Sequence, residues 1–266
     1  MPEMTRTLVS LVVPCCDEEE ALPRLWERFQ TSAQLVPEGC ELEYIFVDDG
    51  SGDATWRILS ELADGRTDCI LVRHESRRGI GAGLRSAFEA SHGDIIAVLD
   101  ADGTYDPACL PELIRYLDDA DLVTGSPYHP EGRVLNVPAW RLFLSKTLSR
   151  LYRAVSPVKV WTYTSLFRAY RREVLEKVAW TSDGFLSNTE ILIGAARSGF
   201  RVAEFPTNLS VRRYGQSKLR TLSVIREHLG FLGRELKTGI SHRQFGFRTE
   251  GGAISPASEE RRGWHR

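Results

Sequence analysis

Residues 77–107 read RRGIGAGLRSAFEASHGDIIAVLDADGTYDP, and this stretch decides the fold class. It runs from a glycine-rich loop through a helical pattern (80–91) and a short apolar run (94–100) to two aspartates, Asp100 and Asp102. Glycines at 79, 81 and 83 invite a dinucleotide reading. That fingerprint wants its third glycine at 84, where Leu84 stands, and it follows the first strand of a unit, whereas this loop follows the third strand-like run. The loop is not a dinucleotide site. Helix, buried strand and terminal acid instead form one period of a strand–helix alternation.

The alternation extends in both directions. Apolar runs at 8–14, 42–49, 69–74, 94–100 and 121–126 read as buried strands, with helical patterns at 18–36, 53–64, 80–91 and 107–118. Helix starts are signalled by Asp53 before ATWRILSEL and by Asp106-Pro107 before ACLPELIRYL. Such a pattern predicts an α/β fold, a mainly parallel central sheet with helices on both faces, whose ligands sit beyond the carboxyl ends of the strands. Further strands are expected at 165–170, 201–206 and 209–213, and helices at 188–199 and 219–238. One domain over 1–240 is expected, with a polar, Gly/Ser-rich and disordered tail over 241–266.

Bulk properties narrow the function. With 266 residues, 42% of them hydrophobic, the chain can bury a full core. A net charge of −2 leaves no global basic excess, which argues against nucleic acid as an obligatory partner. Five cysteines without CxxC spacing suit a reducing compartment. Without a secretory leader pattern or a bilayer-length apolar run, the sequence predicts a cytoplasmic protein, either soluble or peripheral at the inner face of the membrane.

Three acidic clusters fall where this fold places ligands: CCDEEE after the first strand, VDDGSGD ending the second and LDADG ending the fourth. A single strand-end Asp often caps the next helix. Asp100 and Asp102 lie two apart in an extended segment, so both can face one side. Adjacent carboxylates repel unless a cation lies between them and a ligand, and hard oxygen ligands open to phosphate describe a Mg2+ or Mn2+ site. The other reading makes them solvated residues supporting a turn at Gly103.

The motifs VVPCCDEEEALP, YIFVDDGSGDATW, the quoted 77–107 stretch, LVTGSPY and VRRYGQSK occur in the order found in family-2 inverting glycosyltransferases of GT-A fold. Over residues 8–238 the chain resembles most the polyprenyl (dolichyl) phosphate sugar synthases. The resemblance implies a GDP- or UDP-sugar donor of mannose or glucose type. Pro14, Cys16, Glu18, Val47 and Asp49 would line the nucleotide, with Asp100, Ala101 and Asp102 at its diphosphate and the metal on Asp100 and Asp102. Cys16 stands where relatives carry Tyr. Arg212, Ser217 and Lys218 would meet phosphate, and Arg141 would lie near the acceptor phosphate. Asp102, Glu190, Arg212 and Lys218 are the candidate catalytic residues. The glycine-rich loop either approaches the sugar nucleotide or serves close helix–sheet packing.

Acceptor chemistry decides whether a base is needed. A hydroxyl must lose a proton as it attacks, and Glu190 would be the base; Glu190 could equally complement a helix N-terminus. A phosphomonoester, with a second pKa of about 6, needs none. The basic amphipathic segment 137–155 suits anionic lipid headgroups, as would a polyprenyl phosphate acceptor, and equally suits core packing. Pro127 and Tyr214 replace cations common in the phosphate-acceptor group. The alternatives are the same fold acting on a hydroxyl of a small molecule or glycan, a sugar-nucleotide nucleotidyltransferase, and a non-catalytic nucleotide-sugar binder. Against the nucleotidyltransferase, CCDEEE would repel an incoming triphosphate.

Overall fold

The computed structural model describes residues 6–32, 35–211 and 221–244. Four strand–helix steps and a fifth strand, all five strands parallel, come first: β1 (Thr7–Cys15), α1 (Leu22–Thr31), β2 (Cys40–Asp49), α2 (Thr55–Ala63), β3 (Cys69–His74), α3 (Ile80–Ala90), β4 (Ile95–Val98), α4 (Leu110–Arg115) and β5 (Leu122–Ser126). The second half holds β6 (Arg133–Leu135), α5 (Ala139–Val155), β7 (Arg168–Arg171), α6 (Arg172–Lys177), α7 (Leu186–Arg197), β8 (Val202–Pro206), β9 (Asn208–Ser210) and α8 (Thr221–Gln244).

Seven strands form one sheet in the order β3-β2-β1-β4-β7-β5-β8, and β6 pairs with β9 in a small parallel ribbon. Among the described residues only β7 runs against its neighbours in the main sheet, lying antiparallel between β4 and β5. Period-two burial divides the strands between two cores. Leu11, Val13, Tyr44, Phe46 and Ala97 face α1, α2 and α4. Val12, Ile45, Val47, Ile96 and Val98 face α3, α7 and α8. Burial on both faces explains why the strands read as continuous apolar runs. Local signals set the helix starts: Pro stands at the first turn of α1 and α4, and Asp106, whose side chain accepts from the Ala108 N–H at 3.0 Å, caps the short 3-10 turn Pro107–Cys109 that leads into α4.

The α/β architecture and mainly parallel sheet agree with the sequence reading, and β3 has the expected bounds. The differences are local. α1 starts at Leu22 instead of 18, because the Glu18 N–H is held by Thr55 Oγ1 at 2.8 Å and Glu18 O takes the Ala21 and Leu22 amides. β4 ends at Val98, and β7 spans Arg168–Arg171 where a run at 165–170 was expected. β6 and α6 were not anticipated; three and six residues are too short for periodicity to reveal. α8 carries helical backbone to Gln244, past the boundary at 240 where the polar tail was expected. The rest of that tail lies outside the described residues.

Candidate active site

The carboxyl edge of the sheet gathers the acidic loops. The loops after β1 and β2 are stitched together: Asp17 accepts from Gly52 N at 2.8 Å, Ser51 Oγ accepts from Asp17 N at 2.9 Å, and Glu19 Oε2 accepts from Ala54 N at 2.9 Å. The Cys16 thiol lies 3.8 Å from the Asp49 carbonyl, toward which it donates, so the two strand ends form one wall. Pro14 is half-buried and Glu18 buried within it, while Val47 is fully buried with its side chain under α3. Asp48, also fully buried, accepts from Ser51 N at 3.0 Å and lies 3.4 Å from Arg73 Nε. Neighbouring Cys15 is buried; desolvation first, then the Glu18 and Asp48 charges, push its thiol well above the ordinary range.

Asp49 organises the glycine-rich loop. Its Oδ1 contacts His74 Nδ1 at 2.7 Å and accepts from Arg78 N at 2.8 Å, while Oδ2 accepts from Gly79 N at 2.8 Å. His74 Nε2 continues to Ser86 Oγ on α3 at 2.9 Å. Gly79 adopts φ +103°, a conformation that favours glycine. A Cβ there would lie 2.4 Å from Asp183 O, and one at Gly81 would lie 2.2 Å from Ser182 O. These two glycines therefore serve close packing against residues 180–184, whereas a Cβ at Gly83 would meet Val47 only at ordinary contact distance. Glu190 holds the far side of that segment: its carboxylate accepts from Thr181 N (2.9 Å), Ser182 N (2.8 Å) and Thr181 Oγ1 (3.1 Å). It stands in the second turn of α7, whose first turn holds no acid.

Asp100, Ala101 and Asp102 follow β4 directly. Ala101 is buried, and both aspartates are half-buried. Asp102 Oδ1 accepts from Thr104 N at 3.0 Å across Gly103, which has φ +72°. The turn is braced from the second half of the chain, where Ser210 N donates to Thr104 O at 3.0 Å and Val211 N to Leu135 O at 3.1 Å. The polypeptide entering VRRYGQSK thus passes beside the aspartate turn. Arg212, Arg213, Tyr214, Ser217 and Lys218 lie outside the described residues. Arg141 lies in the first turn of α5, and its side chain is outside the description.

Helix α5 divides along its length. Tyr152, fully buried, stacks on Tyr163 and contacts His228 Nδ1 of α8 through its hydroxyl at 2.9 Å. Toward the N-terminus Trp140 is 53% and Phe143 68% exposed, beside exposed Leu144 and Lys146. Among the described residues no helix is long and apolar enough to cross a membrane.

Among the described residues no three His, Cys, Asp or Glu side chains form a ready metal cage. Two half-buried carboxylates nonetheless fit a hard divalent ion, because Mg2+ is commonly bound by one or two carboxylates with substrate phosphates completing its shell. Sequence reading missed His74, Arg85, the 180–184 segment and Arg168. Arg85 forms an ion pair with Asp183. Arg168, fully buried, donates to Thr124 Oγ1 at 3.2 Å, to Tyr163 O at 2.8 Å and to Asn188 O. No motif spacing marks these partners, which are far apart in the chain; only the turn-like TSDGF before α7 offered a signal.

Residues 10–179 match the Glycosyl transferase family 2 domain. Over 222 residues the chain is 37% identical to a polyprenol monophosphomannose synthase of Mycolicibacterium smegmatis, covering 80% of this chain and 81% of that one. It is 30% identical to an undecaprenyl-phosphate mannosyltransferase of Micrococcus luteus over 218 residues, covering 79% and 87%. Among solved structures, glucosyl-3-phosphoglycerate synthase from Mycobacterium tuberculosis, in complex with Mn2+, UDP and phosphoglyceric acid, superposes with a TM-score of 0.63 at 22% identity. That superposition covers 88% of this chain and 78% of the other, and at such identity it speaks for the GT-A fold alone.

Proposed function

This chain belongs to glycosyl transferase family 2, and from that premise we propose that it moves a hexose of mannose or glucose type from a GDP- or UDP-sugar to a polyprenyl phosphate, with inversion. The observation that carries the reading is the 37% identity, over about four-fifths of both chains, to a protein named for making polyprenol monophosphomannose.

In this reading the joined β1 and β2 loops hold the nucleoside, with Pro14, Cys16, Glu18 and Asp49 at its wall and Val47 behind them. Asp100 and Asp102, flanking Ala101, would hold Mg2+ or Mn2+, which would supply neutralisation of charge growing on the departing diphosphate. Arg212, Ser217 and Lys218 would meet the same charge. An acceptor phosphate oxygen attacks the anomeric carbon from the face opposite the leaving group. The new C–O bond forms as the bond to the nucleoside diphosphate breaks. The acceptor is mostly dianionic at neutral pH, since its second pKa is about 6, so no base has to take a proton.

Arg141, in the first turn of α5, would serve the acceptor phosphate. Trp140 and Phe143, with Lys146 and Arg150 further along the helix, are exposed and suit a membrane surface carrying anionic headgroups, which supports a peripheral attachment at the inner face. The test is incubation with labelled GDP-mannose or UDP-glucose, polyprenyl phosphate and Mn2+. The expected result is label in the lipid phase with release of one nucleoside diphosphate. Transfer only to a hydroxyl compound, release of pyrophosphate, or nucleotide binding without transfer would each overturn the assignment.

A further inference from the structure

Glu190 is a buried carboxylate that transfer to a phosphate does not use, yet the fold surrounds it with donors. Its Oε2 takes the amides of Thr181 and Ser182, at 2.9 and 2.8 Å, and its Oε1 takes the Thr181 hydroxyl at 3.1 Å. A general base has to lie within hydrogen-bond reach of the proton it removes. Both Glu190 oxygens are turned instead to residues 181–182, Oε2 to their amides and Oε1 to the Thr181 hydroxyl.

What that backbone does next is specific. From Trp180 to Gly184 it lies across the glycine-rich loop as a strap. Gly81 N donates to Asp183 O at 2.7 Å, and Trp180 Nε1 donates to Gly81 O at 3.2 Å, so both polar groups of one glycine are taken by the strap. Arg85, one turn along α3, pairs with Asp183. Contact is so close that a Cβ at 81 would overlap Ser182 O. On its other side the loop is pinned by Asp49 through the amides of Arg78 and Gly79. The loop is thus held between two carboxylates, one reaching it directly and the other through the strap.

We infer that Glu190 is a positioning residue: it fixes the Trp180–Gly184 strap, and the strap seats the glycine-rich loop at the wall of the donor cleft. The inference rests on the donor-cleft assignment above and adds a residue to it. Because the strap bears on the loop, its loosening acts on donor affinity before it acts on the chemical step.

The test compares Glu190→Gln, Glu190→Ala and Thr181→Val. Glutamine can accept both amides through one oxygen and donate to the Thr181 hydroxyl, so E190Q retains donor KM and kcat within about threefold and an unmoved pH–rate profile. Alanine removes every acceptor; E190A raises donor KM about tenfold or more, with a smaller change in kcat, and speeds amide exchange at Gly81. T181V, which loses one donor, falls between the two and supplies the readout if E190A does not fold. Loss of turnover in E190Q with nucleotide binding and Gly81 exchange intact would overturn the inference and make Glu190 a base. Unchanged donor KM and Gly81 exchange in E190A would overturn it equally. Binding of GDP or UDP and exchange at Gly81 need no acceptor. Failure of the wild type to glycosylate polyprenyl phosphate therefore sinks the acceptor assignment without deciding the strap.

Discussion

The acids ending β2 and the acids following β4 stand at the same edge of one sheet with only β1 between them, and the fold surrounds them differently. Asp49 is 7% exposed and receives His74 and the Arg78 and Gly79 amides; Asp48 is fully buried with Ser51 and Arg73 beside it. Asp100 and Asp102 are half-buried at a turn that the end of β9 braces. A carboxylate has about four acceptor sites. Where the fold buries the carboxylate, the acid holds architecture; where it leaves the carboxylate half-exposed, as at Asp102 even with the Thr104 amide on one oxygen, the acid can also meet a ligand. Glu190 falls with the first group.

The contrast is broken most directly at the open pair. Asp100→Asn with Asp102→Asn is expected to lower sugar transfer about 1,000-fold or more, with the melting temperature nearly unmoved. Steady-state rates beside a thermal melt measure both halves of that statement. Unfolding of the double variant would place these acids with Asp49.

Asp49→Ala probes the opposite side. It leaves the loop amides without their acceptor, and a loss of about 3 kcal/mol is expected from the urea midpoint at constant m-value. A fully stable Asp49→Ala protein with impaired nucleotide binding would show that this acid also acts on the ligand.

The inward pattern extends to His228, 1% exposed between α8 and α5. Burial drives its pKa from the ordinary 6.5 down to about 4, against the opposing pull of the Glu190 charge. The folded state keeps it neutral while the unfolded chain binds a proton, so its contribution is full above about pH 6.5 and declines as pH falls toward 4. Urea titrations at pH 7, 6 and 5 should show a loss approaching about 1.4 kcal/mol per pH unit from this group, and His228→Gln should flatten it. An unchanged slope in the variant would contradict the buried neutral imidazole.

The smallest effect is expected at the exposed start of α5. Trp140→Ser with Phe143→Ser should weaken sedimentation with anionic vesicles about tenfold while leaving stability within about 0.5 kcal/mol. Equal loss with neutral and anionic vesicles would remove the role given to the flanking cations.

Much of this was legible in the sequence. Apolar runs bounded by turn residues marked β1, β2, β3 and β5 closely, because burial on both faces writes itself as continuous hydrophobicity. Acids at the ends of β1, β2 and β4 were legible as site candidates for the same reason: strand ends in this fold have one destination. The inward or outward fate of each acid was hidden, since it depends on amides contributed by loops elsewhere, as Thr181 and Ser182 are for Glu190. The antiparallel insertion of β7 was equally hidden; its partners lie about 70 and 45 residues upstream, and a short apolar run carries no direction. Arg168 shows the same limit, because a strand arginine reads as an edge residue until backbone carbonyls are folded around it.

The most direct measurement is a calorimetric titration of GDP and UDP, with and without Mn2+, into the wild type and into the Asp100→Asn/Asp102→Asn protein. In the wild type one nucleotide should bind markedly tighter with the ion present, and in the double variant the ion should make no difference. Equal tightening by Mn2+ in both proteins would place the diphosphate elsewhere and contradict the account.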